Sequence, residues 1–372
     1  MSALALADLL PTAATFTALR RLVKSQAARR PGVYEFLDAT GGTIYVGKAK
    51  DLRSRLLSYF TAPWPESKSA RLVRCASHIQ WRCLPSEFAA LLEEQRLISR
   101  LRPAYNVRGN LRRGRLSFVT LTCDPAPRLR VTEQTQGRGA FYYGPFAARG
   151  RTADAIRTLG DLLGLRDCSD RTPMKFADQP SLFDTPLPAL CLRHELGTCL
   201  APCAAHCSAS GYGDATRRAA AFLDGRSAHP LEVVLDAMAD AAEAGAFERA
   251  ARWLEKFEAL EWLFGALARL RAAVEGLSFV YAVEDGSGES DDRVYLVRHG
   301  IVRAEAPWPR TPLERQAFAA EIARHAAPEE SAPAARTAPE MDQLLLVMSW
   351  FRRYPEEYEQ TTPYRVWQEG GS

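Results

Sequence analysis

Phenol and basic side chains cluster near the N-terminus of the 372-residue sequence. Tyr34 and Tyr45 lie on two alternating segments, and a hairpin centred on the Ala39–Thr40 loop would place them opposite each other on one sheet face. Arg55 and Tyr59 are four residues apart, so they share one side of a helix. Phenols and a guanidinium in this arrangement could bind a single anion.

A lysine adds a second cation to this cluster. Lys48 directly follows the segment that carries Tyr45. A phosphodiester site requires cations and hydrogen-bond donors around one phosphate, because negative charge builds up on its non-bridging oxygens in the transition state. Each residue alone is typical of packing or of a solvated surface, so the prediction depends on the ordered set.

Five of the eight cysteines fall within 40 residues. Four of them lie in a proline-rich stretch and could supply thiolate ligands: Cys168, Cys191, Cys199 and Cys203. Sulfur-only ligation suits an iron–sulfur cluster or a zinc ion held by four cysteines, and the residue types do not choose between them. Cys207 and His206 stay unassigned, although either could replace a ligand.

Short strands and helices are predicted around the N-terminal cluster. Asp51 is expected to cap a helix that runs to Tyr59, and Ser86 is expected to start a longer helix that ends near Leu101, before Pro103. The other predicted elements are a helical lead-in at 1–29, a helix near 66–76 and strands at 32–38, 43–47 and 78–84. These elements make a small α/β sandwich that ends near residue 115.

The remaining sequence is predicted to alternate between short strands, a loop-rich region and long helices. The predicted elements are strands at 116–122 and 128–134, a helix at 151–163, loops at 168–207, helices over 213–275, strands at 279–285 and 293–300, a flexible linker at 326–340 and a helix at 344–354. Gly245 is expected to mark the turn of a helical hairpin.

Together these elements predict an α+β multidomain protein with five parts. They are an N-terminal helical lead-in (1–29), the small α/β sandwich (30–115), a β-hairpin plus cysteine-cluster domain (116–212), a helical hairpin region (213–275) and a small C-terminal α/β unit of unknown role (276–372).

The net charge of +4 conceals an uneven distribution. Residues 1–115 carry 20 Lys/Arg against 8 Asp/Glu, which leaves the rest of the chain with a net charge of −8. A polyanionic partner is therefore expected for the N-terminal third.

The composition of 47% apolar and 25% charged residues is that of an ordinary globular protein. No apolar run is long enough to cross a bilayer, and no secretory signal is evident. A cytoplasmic location is therefore expected.

The N-terminal motifs resemble the GIY-YIG nuclease domain. The residues that carry the resemblance are Gly32-Val33-Tyr34, Tyr45-Val46-Gly47-Lys48-Ala49, Arg55, Tyr59, Glu94 and Pro103-x-Tyr105-Asn106. The amino-acid sequence of these motifs is similar to that of the UvrC/Cho excinuclease family. The resemblance implies a GIY-YIG α/β sandwich that cuts damaged double-stranded DNA.

The resemblance also implies a role for each residue. Tyr34 would be the general base that activates water, and Lys48 would lower its pKa. Glu94 would hold one Mg²⁺ or Mn²⁺ ion. Arg55 would clamp the phosphate.

The remaining site residues would support these groups. Tyr45 and Tyr59 would donate hydrogen bonds to the phosphate or the water, and Asn106 would fix the geometry of the site. Glu94 is chosen over Glu93 because the family spaces its glutamate twelve residues before the asparagine.

Two later segments are similar to the same family. The segment CLRHELGTCLAPC, within 191–203, favours a [4Fe–4S] cluster over Zn²⁺ by that resemblance. The segment 246–260 resembles the motif through which UvrC pairs with UvrB, so UvrB is expected to bind through 231–265. Leu254-Glu255 departs from the usual Arg-Asp pair, and an ordinary internal helix pair is the alternative.

A single incision centre is expected. Asp285, Asp291 and Asp292 lie in a Gly/Ser-rich turn typical of solvated acids, so no second carboxylate set for a metal is evident. The resemblance to Cho then implies one cut on the 3′ side of a lesion in nucleotide excision repair. The alternatives are a non-catalytic adaptor that binds DNA and UvrB, and a GIY-YIG nuclease that acts outside excision repair.

Overall fold

The computed structural model describes residues 13–107, 116–135, 141–179, 191–284, 291–326 and 334–368. Within these ranges the chain forms two compact units. The first unit consists of 13–107, 277–284, 291–326 and 342–368, and the second of 116–135, 141–179, 191–276 and 334–341. The five-part division made from the sequence stays a prediction.

The N-terminal part of the first unit contains a three-stranded antiparallel sheet with the strand order β2-β1-β3. Its elements are α1 (Ala13–Gln26), β1 (Gly32–Leu37), β2 (Thr43–Ala49), α2 (Leu52–Phe60), α3 (Lys68–Cys75), β3 (His78–Cys83), α4 (Glu87–Leu101) and α5 (Ala104–Val107). The mixed α/β fold predicted for this region is confirmed over its described residues.

The register of the first hairpin differs from the predicted register by two residues. Tyr34 pairs with Gly47, and Phe36 pairs with Tyr45. The predicted pairing of Tyr34 with Tyr45 is therefore wrong. Because side chains alternate along a strand with a period of two, a shift of two residues leaves every side chain on its original face. Tyr34 and Tyr45 still share one face of the sheet.

Side-chain caps begin the two helices that carry candidate site residues. The Asp51 carboxylate accepts a hydrogen bond from the Ser54 backbone N–H at 2.8 Å, at the start of α2. The Ser86 hydroxyl accepts one from the Ala89 N–H at 3.0 Å, at the start of α4. Both predicted helix starts are confirmed, since these caps satisfy N–H groups that have no partner within the helix.

The second unit combines a small sheet of order β5-β4-β6 with helices. Its elements are β4 (Ser117–Leu121), β5 (Leu129–Thr132), β6 (Phe141–Phe146), α6 (Arg149–Leu163), α7 (Leu192–Glu195), α8 (Ala209–Leu223), α9 (His229–Glu243) and α10 (Phe247–Glu275). The predicted turn at Gly245 is confirmed, and its φ of +67° suits a residue without a side chain.

One predicted linker is wrong over its described part. Arg336 lies within the predicted flexible segment 326–340, but its backbone pairs with Tyr142 through hydrogen bonds of 2.8 and 3.0 Å. The Arg336 side chain is 3% exposed. Residues 327–333 lie outside the described residues. This pairing adds an isolated bridge to the edge of the sheet.

The C-terminal lobe, defined as residues 277–284, 291–326 and 342–368, belongs to the first unit. Its sheet has the order β7-β8-β9. The elements are β7 (Phe279–Val283), β8 (Arg293–Arg298), β9 (Ile301–Pro307), α11 (Pro312–Ala326), α12 (Ala338–Arg353), α13 (Pro355–Glu359) and α14 (Tyr364–Gln368), of which α12 joins the lobe from Asp342 onward. The strand β9 is absent from the elements predicted by the sequence.

A helix that spans a bilayer requires about 20 predominantly apolar residues. None of the helices in the described part of the chain is long and apolar enough to cross a membrane.

Candidate active site

Two buried tyrosines and an arginine form the centre of the site. The Tyr34 and Tyr59 hydroxyls are 2.8 Å apart, and Arg55 Nε donates to the Tyr34 hydroxyl at 3.2 Å. Arg55 Nη2 also donates to Tyr59 at 3.4 Å. The two phenols are 1% and 2% exposed. β1 therefore supplies one phenol, and α2 supplies the other together with the guanidinium.

Tyr45 completes the group of phenols. Its ring centroid lies 6.2 Å from that of Tyr34 and 6.4 Å from that of Tyr59. Burial raises the pKa of all three tyrosines, and the charge of a neighbouring phenol raises each of them further. The sequence prediction that these tyrosines converge is confirmed in its geometry, although the register that brings them together is different.

Gly47 is a site-shaping residue that the sequence analysis did not single out. A Cβ atom at this position would lie 2.5 Å from both Cζ and the hydroxyl oxygen of Tyr34. The Tyr34 phenol therefore lies across the backbone of its cross-strand partner. Only glycine leaves room for this contact, and the correct register would have revealed it.

Glu94 approaches the site from α4. Its Oε1 accepts a hydrogen bond from the Lys48 backbone N–H at 3.1 Å. Burial raises the pKa of Glu94 to about 7, although the charges of Lys48 and Arg55 oppose this effect. The same carboxylate raises the pKa of Tyr45. Glu94 thus interacts with groups on both β2 and α2.

The neighbouring Glu93 has different partners. It forms ion pairs with Arg82 and with Arg96, the second at 3.7 Å. Glu93 and Glu94 therefore interact with different groups although they are adjacent in the sequence.

Lys48 has an ionic partner that the sequence resemblance does not imply. Its Nζ lies 2.8 Å from Glu87 Oε1 in an ion pair that the sequence analysis did not anticipate. Burial is the main cause of the raised pKa of Tyr34, and the cation that opposes it is Arg55. The expectation that Lys48 lowers the pKa of Tyr34 therefore stays a prediction.

Asn106 binds the backbone of β2. Its Oδ1 accepts from the Val46 N–H at 2.8 Å, and its Nδ2 donates to the Val46 carbonyl at 2.9 Å. The Asn106 amide thus bonds both the N–H and the carbonyl of Val46, as the backbone of a neighbouring strand would. Because β2 is an edge strand, the amide occupies hydrogen-bonding groups that the sheet leaves open.

The carboxylate of Glu94 is a ligand type that suits a hard divalent cation. Mg²⁺ is commonly held by one or two carboxylates and keeps several water ligands, so a single glutamate is an adequate protein anchor. No three His, Cys, Asp or Glu side chains within the described residues form a group that could hold a metal ion. Among the acids considered for a second site, Asp291 and Asp292 pair with Arg293 and Arg310, and Asp285 lies outside the described residues.

The cysteines of the second unit influence one another. Burial raises the pKa of the Cys199 and Cys203 thiols, and the charges of Cys168 and Cys191 raise both further. The Ala201 N–H donates to Cys199 Sγ at 3.4 Å. Within the described residues these thiols do not form a group of three or more ligands that could hold a metal ion.

Two family models match consecutive parts of the chain. The model of the UvrC-like GIY-YIG domain matches residues 30–107, which include all of the candidate site residues of the first unit. The model of the UvrC/Cho excinuclease middle domain matches residues 116–222. These two regions are of the UvrC/Cho type. The resemblance predicted from the sequence is confirmed over these residues.

Curated relatives support the same assignment. The chain is 33% identical over 281 residues to the UvrABC system protein C of Alcanivorax borkumensis, covering 75% of this chain and 42% of the relative. It is 34% identical over 273 residues to that of Rhizobium meliloti, covering 73% and 38%. The chain therefore spans about two fifths of the length of these relatives.

Solved structures of one relative also match. The GIY-YIG N-terminal endonuclease domain of UvrC from Thermotoga maritima, bound to magnesium as its catalytic divalent cation, is 36% identical. The match covers 24% of this chain and 96% of that domain, with a TM-score of 0.22.

Proposed function

We propose that this protein is a metal-dependent DNA endonuclease that makes a single incision, 3′ to a lesion, during nucleotide excision repair. The observation that carries the proposal is the convergence of Tyr34, Arg55 and Tyr59, joined by hydrogen bonds of 2.8 to 3.4 Å, with Glu94 interacting electrostatically with Arg55. Simple DNA binding requires only positive charge, whereas this set also supplies a carboxylate and phenols for hydrolysis.

Each residue has a chemical task in this proposal. Arg55 binds a non-bridging oxygen of the scissile phosphate. Tyr34 first loses its own proton to solvent, and the resulting phenolate takes a proton from the attacking water. Because burial raises the pKa of Tyr34, proton transfer depends on the positive charge that Arg55 presents at 3.2 Å. Glu94 would hold one Mg²⁺ or Mn²⁺ ion, which when bound stabilises the leaving oxygen.

The first test compares two adjacent glutamates. Glu94→Gln removes the proposed metal anchor. Glu93→Gln is the matched control, because Glu93 is the adjacent glutamate but forms its ion pairs with Arg82 and Arg96. The Glu94 variant should nick lesion-bearing duplex DNA at least about 100-fold more slowly in Mg²⁺, whereas the control should keep most of the activity. Both variants should bind DNA as the unchanged protein does in a mobility-shift measurement.

The outcome that contradicts this proposal is nicking by Glu94→Gln at the unchanged rate. End-labelled duplexes with one lesion test the incision position in the same reactions. A cut only on the 5′ side would refute the finer part of the proposal and leave the nuclease intact.

A metal cluster is proposed at the second unit: [4Fe–4S] held by Cys168, Cys191, Cys199 and Cys203, with Zn²⁺ as the alternative. Such a cluster would be structural or would sense DNA, since hydrolysis belongs to the first unit. Anaerobically purified protein should contain iron and sulfide, and Cys199→Ser should lose them. The exposed Cys123 provides the control substitution Cys123→Ser. One equivalent of zinc without iron would favour the alternative.

UvrB is the proposed protein partner, through residues 231–265 of the helical hairpin. Phe247 is 74% exposed and Leu254 is 44% exposed, so apolar side chains are available on α10. Phe247→Ala should reduce the capture of purified UvrB about tenfold. Leu313→Ala is the control, because Leu313 is 75% exposed on α11, outside the hairpin. Equal capture by both variants would exclude this contact.

A further inference from the structure

The helix α4 carries two glutamates that reach the candidate active site from the same side. Glu87 and Glu94 are seven residues apart, which is close to two helical turns. Glu94 binds the backbone N–H of Lys48, and Glu87 binds its Nζ. The position of α4 therefore decides where both groups meet Lys48.

The C-terminal lobe holds one flank of α4. Phe88 is fully buried against the lobe, with ring centroids 5.0 Å from Tyr295, 5.1 Å from Tyr281 and 5.3 Å from Trp350. Leu92 belongs to the same apolar cluster. On the other flank, Ala90 and Leu97 pack against Val33 and Val46 of the nuclease sheet. The helix is fixed between the two sheets of the first unit.

A polar contact continues from the lobe to the site. The Tyr354 hydroxyl donates to Glu87 Oε2 at 3.3 Å, and Lys50 Nζ lies 2.7 Å from the same oxygen. The other oxygen, Oε1, binds Lys48 Nζ at 2.8 Å. Lys50 Nζ also lies 5.3 Å from the centre of the Tyr354 ring. Glu87 therefore has a cation on each oxygen and a phenol from the lobe, and its side chain is 15% exposed.

We infer that Glu87 and Tyr354 are positioning residues of the nuclease site, through which the C-terminal lobe fixes the Lys48 ammonium. The inference rests on the proposed endonuclease function and adds a role for a lobe that lies outside the two matched family regions, 30–107 and 116–222. Tyr354 orients the Glu87 carboxylate, and this carboxylate holds Lys48 Nζ, whose charge acts on the Glu94 carboxylate.

The inference predicts which kinetic quantity changes. Lysine has four rotatable side-chain bonds, so without Glu87 its ammonium samples many positions and is seldom correctly placed for the transition state. The positive charge remains, so DNA affinity is retained. Loss of either positioning residue should therefore lower kcat and leave KM for DNA nearly unchanged.

The experiment measures kcat and KM of lesion-bearing duplex nicking in Mg²⁺ for Glu87→Gln, Tyr354→Phe and the double variant. We expect kcat to fall about tenfold for Glu87→Gln and about threefold for Tyr354→Phe. The double variant should be no slower than Glu87→Gln alone, because Tyr354 acts only through Glu87.

Matched controls come from the same lobe. Glu357→Gln alters a carboxylate that accepts a 2.5 Å hydrogen bond from Tyr281, and Tyr364→Phe removes a phenol that donates to the Val297 carbonyl. Glu357 and Tyr364 bond to Tyr281 and Val297 rather than to Lys48 or Glu87, so both variants should keep the unchanged kcat. Thermal melting of every variant separates a loss of folding from a loss of positioning.

Three outcomes would overturn the inference. They are an unchanged kcat in Glu87→Gln, losses that multiply in the double variant, and an equal loss of kcat in the controls. Each of these can occur while the unchanged protein nicks DNA and Glu94→Gln does not, so the proposed function would survive. If the unchanged protein fails to nick DNA in Mg²⁺, the proposed function falls and this inference falls with it.

Discussion

At the scale of single residues, Gly47 helps to position the Tyr34 phenol because it has no side chain. Tyr34 crosses the backbone at Gly47, and this contact sets how near its hydroxyl comes to Tyr59. A hydroxyl 2.8 Å from its neighbour cannot move outward without breaking that hydrogen bond. Gly47 therefore contributes to the geometry of the proposed site although it has no chemistry of its own.

Gly47→Ala should displace the Tyr34 phenol. The added Cβ would lie 2.5 Å from the ring, so we expect about 1 to 3 kcal/mol of destabilisation and a clear loss of nicking. Thermal melting and plasmid nicking measure the two effects. The control is Gly160→Ala in α6, where a Cβ meets no atom within 4 Å, and it should stabilise its helix by up to about 1 kcal/mol. Unchanged nicking by Gly47→Ala would contradict the contact.

The ion pairs of Glu87 predict a dependence of stability on pH. Burial alone would raise the pKa of Glu87, but hydrogen bonds from Lys48 and Lys50 outweigh it and hold the pKa below the ordinary value. A lowered folded pKa stabilises the fold above the pKa of the unfolded glutamate, and the stabilisation is lost as pH falls through the folded pKa.

Glu87→Gln should therefore cost about 1 kcal/mol at pH 7, a modest value because Lys50 is largely exposed. The difference in melting temperature from the unchanged protein should begin to shrink as pH falls below about 4.3, the ordinary pKa of a glutamate, and should vanish once pH falls below the lowered pKa of Glu87. Melting curves across this pH range measure it. A difference that persists undiminished at low pH would show that the carboxylate charge is not its source.

Residue types and spacing correctly brought Tyr34, Arg55 and Tyr59 together, whereas Glu94 came from the resemblance and the catalytic roles stay predictions. The partner of Lys48 was missed, since Glu87 is 39 residues away and only the folded chain brings the two together. The spacing of seven residues between Glu87 and Glu94 was the available signal that both face one side of α4.

At the scale of elements, an edge strand is completed by a side chain. Asn106 from α5 binds both backbone groups of Val46, the residue that precedes Gly47 on β2. The Val46 side chain is fully buried, so its backbone groups have limited access to water. The amide therefore stabilises the strand that carries Tyr45 and Lys48.

Asn106→Ala should leave the Val46 N–H and carbonyl without this partner. We expect the free energy of unfolding to fall by about 1 to 3 kcal/mol, with a loss of nicking because β2 carries site residues. Denaturant unfolding and nicking assays measure the two effects. Asn106→Asp keeps the acceptor and loses the donor, so its stability should lie between those of Asn106→Ala and the unchanged protein. An Asp variant less stable than the Ala variant would contradict this account.

Local signals predicted helices better than strand pairing. Asp51 and Ser86 lie directly before their helices, so the capping pattern is readable from neighbouring residues. The strand β9 and the bridge at Arg336 depend on partners elsewhere in the chain, and the sequence analysis missed both. The irregularity after Phe36 accounts for one residue of the error in the first hairpin, and a turn centred on Thr40, rather than between Ala39 and Thr40, accounts for the other.

At the scale of the whole molecule, two separate cores divide the chemistry. All of the candidate nuclease residues belong to the first unit, and the candidate cysteine ligands belong to the second. The core of the second unit includes Leu263, and that of the first includes Leu56, and both side chains are fully buried. We therefore expect each core to have its own unfolding transition.

Calorimetry of two matched variants tests this expectation. Leu263→Ala should lower one melting transition and Leu56→Ala the other, each by about 2 to 5 kcal/mol of stability. Nicking should disappear with the transition that Leu56→Ala affects. If either substitution lowers both transitions equally, the two cores unfold as one.

The burial of Phe88 by distant sequence has a consequence for any shortened nuclease. A fragment that ends at residue 107 would keep α4 and lose the cover that the C-terminal lobe provides. Phe88 and Leu92, which are 0% and 1% exposed in the whole chain, would then face water. Exposed apolar surface favours self-association, so a soluble monomeric fragment would require a polar residue in place of Phe88.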